Sequence, residues 1–336
     1  TAAAIQTFEK ALQKQPRFHR VRQNLRDLFA LQERWENAIA LYEPLKDNDT
    51  TYVGSRIEIS QLLVEKGDSL QAIQILEPLM KTHADDWRVP TSLGRFYFLA
   101  DSMSKAADYF DKALVLNNDL PHIWVLRGLS YMRLDSVDVA LENFEAATKK
   151  FPKESEILYY AGTLWGQKKE FRKAVSYYIK ALEQDQKNEQ IALSLAGAYD
   201  ELGEYDRAER IYQQLIKFNP DSPIVLNNYA YHLSVQSLEL DKALEMSKRA
   251  VEASPNNAPY LDTLGWIYYQ MGDYQKAKLY IEQAMEISPD TPEVVEHLGD
   301  VHKKLGDQAM AEELWRKAYE LDDRRSNLLE KLGQPE

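Results

Sequence analysis

The sequence predicts an all-α fold, a solenoid made by stacking helical hairpins, and three observations predict it. Alanine recurs at a fixed interval: Ala4, Ala38, Ala72, Ala106, Ala140, Ala174 and Ala208 are 34 residues apart, and after a one-residue insertion the series resumes at Ala243, Ala277 and Ala311. Four residues after each anchor comes a large side chain (Phe8, Tyr42, Leu76, Phe110, Phe144, Tyr178, Tyr212, Ile281, Trp315), with Ser247 the exception. Upstream of the anchor sits a small residue such as Gly94, Gly128, Gly162, Ala196, Gly265 or Gly299. Small residues let two helices approach and bulky ones lock them, so a fixed period of this kind marks one supersecondary unit repeated.

Taken in order, residues 1–18 read as the second helix of an incomplete repeat, with Ala4, Phe8, Ala11 and Pro16 in the expected places. Full repeats follow at 19–52, 53–86, 87–120, 121–154, 155–188, 189–222, 223–257, 258–291 and 292–325, and residues 326–336 read as a C-terminal capping helix, the whole forming one continuous domain. Pro44 and Pro78 stand inside the second helices of adjacent repeats, where a missing N–H should kink them. Gly67, Gly203, Gly272 and Gly306 fall between the paired helices, where a helix end favours a left-handed residue. Repeat 223–257 carries its extra residue in that turn and loses its bulky anchor at Ser247, so looser packing is expected there. Its stability should come largely from neighbouring repeats, because a single hairpin cannot bury its apolar face alone.

Composition narrows the function. The net charge is −12, with 41 Lys/Arg against 53 Asp/Glu, which argues against nucleic acid as a ligand. The charge is uneven: residues 1–52 carry 8 Lys/Arg and 7 Asp/Glu, residues 258–336 carry 9 and 16. The basic cluster Arg17, Arg20, Arg22 and Arg26 reads as solvated helix face. No apolar run is long enough for a transmembrane segment, and the absence of cysteine removes disulfides, thiolate metal sites and a Cys nucleophile. There is no GxGxxG, phosphate loop, HExxH, GxSxG or EF-hand spacing. His297 and His302 are five residues apart, on different helix faces, which disfavours shared metal ligation. The residues therefore point to a protein that is not an enzyme, with no cofactor and no metal site.

The repeat resembles the tetratricopeptide repeat, with W-L-G-Y positions on a first helix and A-F-A-P on a second, over essentially the whole chain. The resemblance implies a right-handed superhelix whose concave groove, lined by first helices, binds a protein or peptide partner. Transferred onto this sequence, the groove positions that exceed the repeat's own needs are Asn227, Asn228, Tyr231, Asp262, Thr263, Trp266, Tyr269, His297 and Asp300, aromatics beside amides and carboxylates. The plainer reading has Trp266 and Tyr231 packing between helices. The clamp for a partner's terminal carboxylate needs a Lys, Asn, Asn, Lys and Arg set that no window supplies. The asparagine ladder of the sugar-transferase superhelix needs an Asn in every repeat, and only Asn24 and Asn228 occupy that position.

The runs NNYAY (227–231), LDTLGW (261–266), HLGD (297–300) and AEELWRKA (311–318) resemble the C-terminal repeats of bacterial outer-membrane lipoproteins that act as protease adaptors. That resemblance implies a scaffold or adaptor in the bacterial periplasm, favoured over the cytoplasm, with a signal and lipid-attachment cysteine upstream of Thr1. Two alternatives remain at this stage. The array is the regulatory or substrate-recruiting part of a larger enzyme, or it self-associates through the incomplete first repeat, whose apolar face around Ile5, Phe8 and Leu12 is expected to be bare.

Overall fold

The computed structural model describes residues 2–16, 18–43 and 49–333, with the side chains of residues 49–51 left aside. The described residues form helices and turns, without strands. Contacts concentrate in two compact units, Thr1–Lys169 and Glu170–Glu336, the division falling within the repeat expected at 155–188.

In the first unit, α1 (Ala2–Lys14), α2 (His19–Leu31) and α3 (Trp35–Ala40) lead into α4 (Asp49–Lys66), which starts four residues ahead of the expected repeat boundary at 53. Next come α5 (Ser69–Leu76) and α6 (Leu79–Thr82), separated at Pro78, where the missing N–H and the ring break the second helix as expected. Pro44 lies outside the described residues. The unit continues through α7 (Arg88–Leu99), α8 (Met103–Leu116), α9 (Pro121–Arg133), α10 (Val137–Lys150) and α11 (Ser155–Gln167).

Two sequence expectations are corrected in this unit. The apolar face of α1 is not bare: Ile5 is buried, and Phe8 and Leu12 pack on the cluster containing Leu25, Phe29 and Tyr42, because α2 folds back over it. Arg22 is not solvated either; it is buried and its guanidinium donates to the Pro16 carbonyl, while Arg26 pairs with Asp27 at 2.8 Å and with Glu65. Arg17 lies outside the described residues.

The second unit runs through α12 (Phe171–Gln184), α13 (Glu189–Glu201), α14 (Tyr205–Phe218), α15 (Pro223–Val235), α16 (Leu240–Ala253), α17 (Ala258–Gln270), α18 (Tyr274–Ile287), α19 (Pro292–Lys304), α20 (Gln308–Leu321) and α21 (Asn327–Lys331). Each helix packs on its neighbour in sequence, and first helices also meet across repeats: α13 with α15, α15 with α17, and α17 with α19. The anchor alanines are the reason the pairs close so tightly, with Ala208, Ala243, Ala277 and Ala311 all at 0% exposure. A Cβ on Gly265 would stand 2.5 Å from Ile281 Cγ1, and one on Gly299 2.6 Å from the Trp315 ring, so the glycine and the bulky residue are two halves of one contact.

Turn chemistry follows the same economy. The tight turns at Gly203 and Gly272 take φ of +68° and +82°. In repeat 223–257 the inserted residue is absorbed by two left-handed residues, Ser237 and Glu239, in one turn. Ser247 is fully buried all the same, so the shorter anchor does not open that repeat to solvent, and its hydroxyl has no partner among the described residues. The last repeat is closed by α21, whose Leu328 is fully buried in the cluster with Leu298, Leu314 and Trp315.

Candidate functional site

The first helices of the second unit begin with strong start signals. Pro223 and Pro292 occupy the first turns of α15 and α19, and Asn257 caps α17 by accepting from the Tyr260 N–H at 3.2 Å. Those starts fix the rotational phase of each helix, and residues three or four apart then share a face. Asn228 and Tyr231 therefore lie together on α15, Asp262 and Trp266 on α17, and Glu293 and His297 on α19.

Between these helices is a cavity of about 370 Å³. Its walls come from Gly197, Asp200 and Glu201 of α13, Asn227, Asn228 and Tyr231 of α15, Asp262 and Thr263 of α17, and Glu293 and Val294 of α19. Five of the nine sequence-predicted site residues thus meet in one place. Asn227 Nδ2 donates to Asn228 Oδ1 at 3.2 Å, whereas Asn227 Oδ1 has no partner among the described residues although the side chain is only 5% exposed. Tyr231 donates its hydroxyl to Glu293 Oε1 at 2.9 Å, a bond between α15 and α19 that passes over α17. Burial first and the Glu293 charge second hold the Tyr231 hydroxyl well above its ordinary pKa, so it stays a donor.

Beside the cavity is a stack of rings. Trp266 lies parallel to Tyr269 with centroids 4.7 Å apart and to His297 at 4.1 Å, and His297 Nδ1 lies 2.9 Å from Asp262 Oδ2. Burial pushes the His297 imidazole down, but the Asp262 charge and hydrogen bond, with Glu293 and Asp300 behind them, win and carry it up to about 9. Trp266 is therefore flanked by an imidazolium, the arrangement in which a ring face meets a cation. Its Nε1 is buried without a partner among the described residues. Burial, then Asp300 and Tyr274, push the Tyr269 hydroxyl up to about 12.

Asp300 is placed elsewhere. Its carboxylate accepts from Trp315 Nε1 at 3.0 Å and from Lys331 Nζ at 2.8 Å, within the closure of the last repeat. The reason is positional: α21 packs on α20, and its lysine meets the carboxylates of α19. Glu201 and Glu293 were not singled out from the sequence. Glu293 belongs to the first turn of α19, where an acidic residue also reads as an ordinary helix-start device. Asp200 lines the cavity while accepting from Tyr212 at 3.0 Å and sitting 2.6 Å from His232 Nδ1.

Among the described residues no helix is long and apolar enough to cross a membrane. Models described as the tetratricopeptide repeat match residues 57–121, 125–189, 167–227, 222–290 and 292–325. The chain is similar to BBSome complex member BBS4 of Bos taurus, 25% identical over 221 residues that cover 66% of this chain and 42% of that protein. It is also similar to a UDP-N-acetylglucosamine–peptide N-acetylglucosaminyltransferase of Giardia intestinalis, 25% identical over 163 residues, 47% of this chain and 11% of the transferase. A solved tetratricopeptide repeat protein from Parabacteroides merdae superposes with a TM-score of 0.53 at 21% identity, covering 84% of this chain and 97% of that one, a likeness that shows the fold. The chain spans less than half the length of these two curated relatives.

Proposed function

The chain belongs to the tetratricopeptide repeat family, and on that premise we propose that it is a non-enzymatic scaffold or adaptor that binds a protein or peptide segment on the first-helix surface of its second unit. One observation carries the reading. The cavity gathers Asn227, Asn228, Tyr231, Asp262 and Thr263 from successive repeats, with the Trp266, Tyr269 and His297 stack beside it. Amides that can meet a peptide backbone next to an aromatic face make the mixture expected of a peptide site. Such an adaptor works by position: rigid hairpins hold the binding groups, and the partner supplies the chemistry. The cell-envelope adaptor role implied by the C-terminal runs is the finer form of this proposal, supported by NNYAY, LDTLGW and HLGD in the helices that build the site.

The experiment is capture of partners by the whole chain and by Trp266→Ala and Asn228→Ala variants whose helicity is unchanged by circular dichroism. Loss of about 2 kcal/mol or more of binding at Trp266 is the expected outcome for a central aromatic. Undiminished capture by both variants rejects this surface. The second reading, a regulatory or recruiting region of a larger enzyme, is favoured by the match to a transferase of which this chain covers 11%. A complete reading frame that adds a catalytic domain selects it, and one that adds a signal and lipid-attachment cysteine selects the envelope adaptor.

A further inference from the structure

The cavity described above has an unbalanced charge. Asp200, Glu201, Asp262 and Glu293 line it, and its described lining includes no Lys or Arg. Not all of that charge is equally engaged. Asp262 faces His297, whose raised pKa makes it a cation, and Asp200 is held by Tyr212 and His232. Glu293, by contrast, receives a neutral phenol from Tyr231 and acts on the His297 cation only from behind Asp262, so that among the described residues no cation bonds to it. An acidic lining alone does not define a ligand. Here a second feature stands with it: Asn227, 5% exposed and part of the same wall, has a side-chain oxygen without a donor among the described residues. A buried acceptor left unpaired carries an uncompensated desolvation cost, and a donor that reaches it from the cavity recovers that cost.

We infer that the cavity takes a Lys- or Arg-bearing peptide segment, its cation seated among Glu201, Glu293 and Asp200 and a peptide N–H donated to Asn227 Oδ1. This rests on the groove reading above and gives the partner its chemistry. The acidic lining is opposite in sign to a terminal-carboxylate clamp, and the volume of about 370 Å³ suits one long side chain with a short stretch of backbone. Asn228 and Thr263 supply further polar edges on the same walls.

The test is selection of binders from a random peptide display library on the whole chain, followed by fluorescence anisotropy with the selected peptides. Enrichment of Lys or Arg is expected. Exchange of that residue for Gln in the peptide, or Glu293→Gln in the protein, should weaken binding about tenfold or more, as does truncation of one partner of a shielded charge pair. Glu201→Gln is the second variant should Glu293→Gln disturb the start of α19. Binding should also fall as ionic strength rises from about 0.01 to about 0.15 M, where the Debye length shrinks from about 30 to about 8 Å. Selected peptides that are neutral or acidic, a selection that returns no binders, or binders indifferent to both Gln variants overturn the inference. If binders lose affinity with Asn228→Ala and Trp266→Ala yet ignore the charge variants, only the cation assignment falls; if they ignore all four, the groove reading falls with it.

Discussion

His297 Nδ1 lies 2.9 Å from Asp262 Oδ2, with both side chains about nine-tenths buried, and the imidazole is stacked on Trp266 at 4.1 Å. The pair joins α19 to α17 across a repeat boundary. It therefore belongs to the nearest-neighbour coupling that holds a solenoid together as well as to the candidate site.

That double role has a pH signature. The His297 pKa rises from 6.5 when unfolded to about 9 in the fold, burial opposing and Asp262 outweighing it. A raised pKa means that the folded state holds the proton more tightly. The stabilisation is thus complete below pH 6.5 and is lost as pH rises through about 9, with a limiting size on the order of 3 kcal/mol. Urea unfolding of the wild type should show a falling midpoint between those pH values, and His297→Gln should flatten that part of the profile. A wild-type profile that is level or rises there contradicts the assignment.

Gly265→Ala should destabilise the second unit by about 1 to 3 kcal/mol, the usual cost of overpacking a closed contact. The added Cβ would stand 2.5 Å from Ile281 Cγ1 and 3.1 Å from the Ala277 carbonyl oxygen, so both a side chain and a backbone would have to move. Thermal unfolding of the single variant measures this. The double variant Gly265→Ala, Ile281→Ala, which removes the opposing Cγ1, should cost less than the sum of its two single variants, and an additive double variant would show that the two residues do not share one contact.

This contact also explains what the sequence made legible. Gly265 with Ile281 and Gly299 with Trp315 are local pairs fixed by a period, so the fold and its helix faces could be read from spacing. Relations between repeats carry no such period. That Tyr231 reaches Glu293 over an intervening helix, and that Asp300 is drawn to Lys331 and Trp315 and not to the cavity, depend on side-chain reach between helices of different repeats. The inward turn of α1 onto α2, which buries Ile5, is a case of the same kind. Asn227, Asn228, Tyr231, Asp262 and Thr263, which line the cavity, stand out in the sequence because they depart from what the repeat requires, whereas Glu293 does not, because an acidic first turn looks like capping.

Ser247 offers a prediction of the opposite sign. Its side chain is at 0% exposure and its hydroxyl oxygen has no hydrogen-bond partner among the described residues. Removing an unsatisfied buried hydroxyl deletes a desolvation cost without breaking a bond, so Ser247→Ala should leave stability unchanged or raise it by up to about 1 kcal/mol. Chemical denaturation decides it. A clear loss of stability would mean that the hydroxyl is satisfied in solution.

The ion pairs between α19 and α21 give the last prediction. Lys331 Nζ lies 2.8 Å from Glu296 Oε1 and 2.8 Å from Asp300 Oδ1, and Glu296 also accepts from Arg325 and Asn327, each at 2.6 Å. Burial pushes the Glu296 carboxyl up, but Lys331 and then Arg325 outweigh it and hold the pKa below 4.5. A depressed carboxylate stabilises the fold above its unfolded pKa and loses that contribution as pH falls through the folded one. Lys331→Met keeps the apolar stem and removes the charge shared by two carboxylates. It should cost about 1.5 to 3 kcal/mol near neutral pH, the range for hydrogen bonds to charged groups, and the deficit should shrink toward acid as Glu296 protonates. The adjacent exposed Glu330→Gln is the comparison and should stay within about 0.5 kcal/mol. Because α21 also buries Leu328, local loosening there would expose the Trp315 cluster first. Hydrogen exchange of α19 and α20 in Lys331→Met should therefore accelerate ahead of α13 and α15, and uniform acceleration across the second unit would show that the lysine is not a local closure.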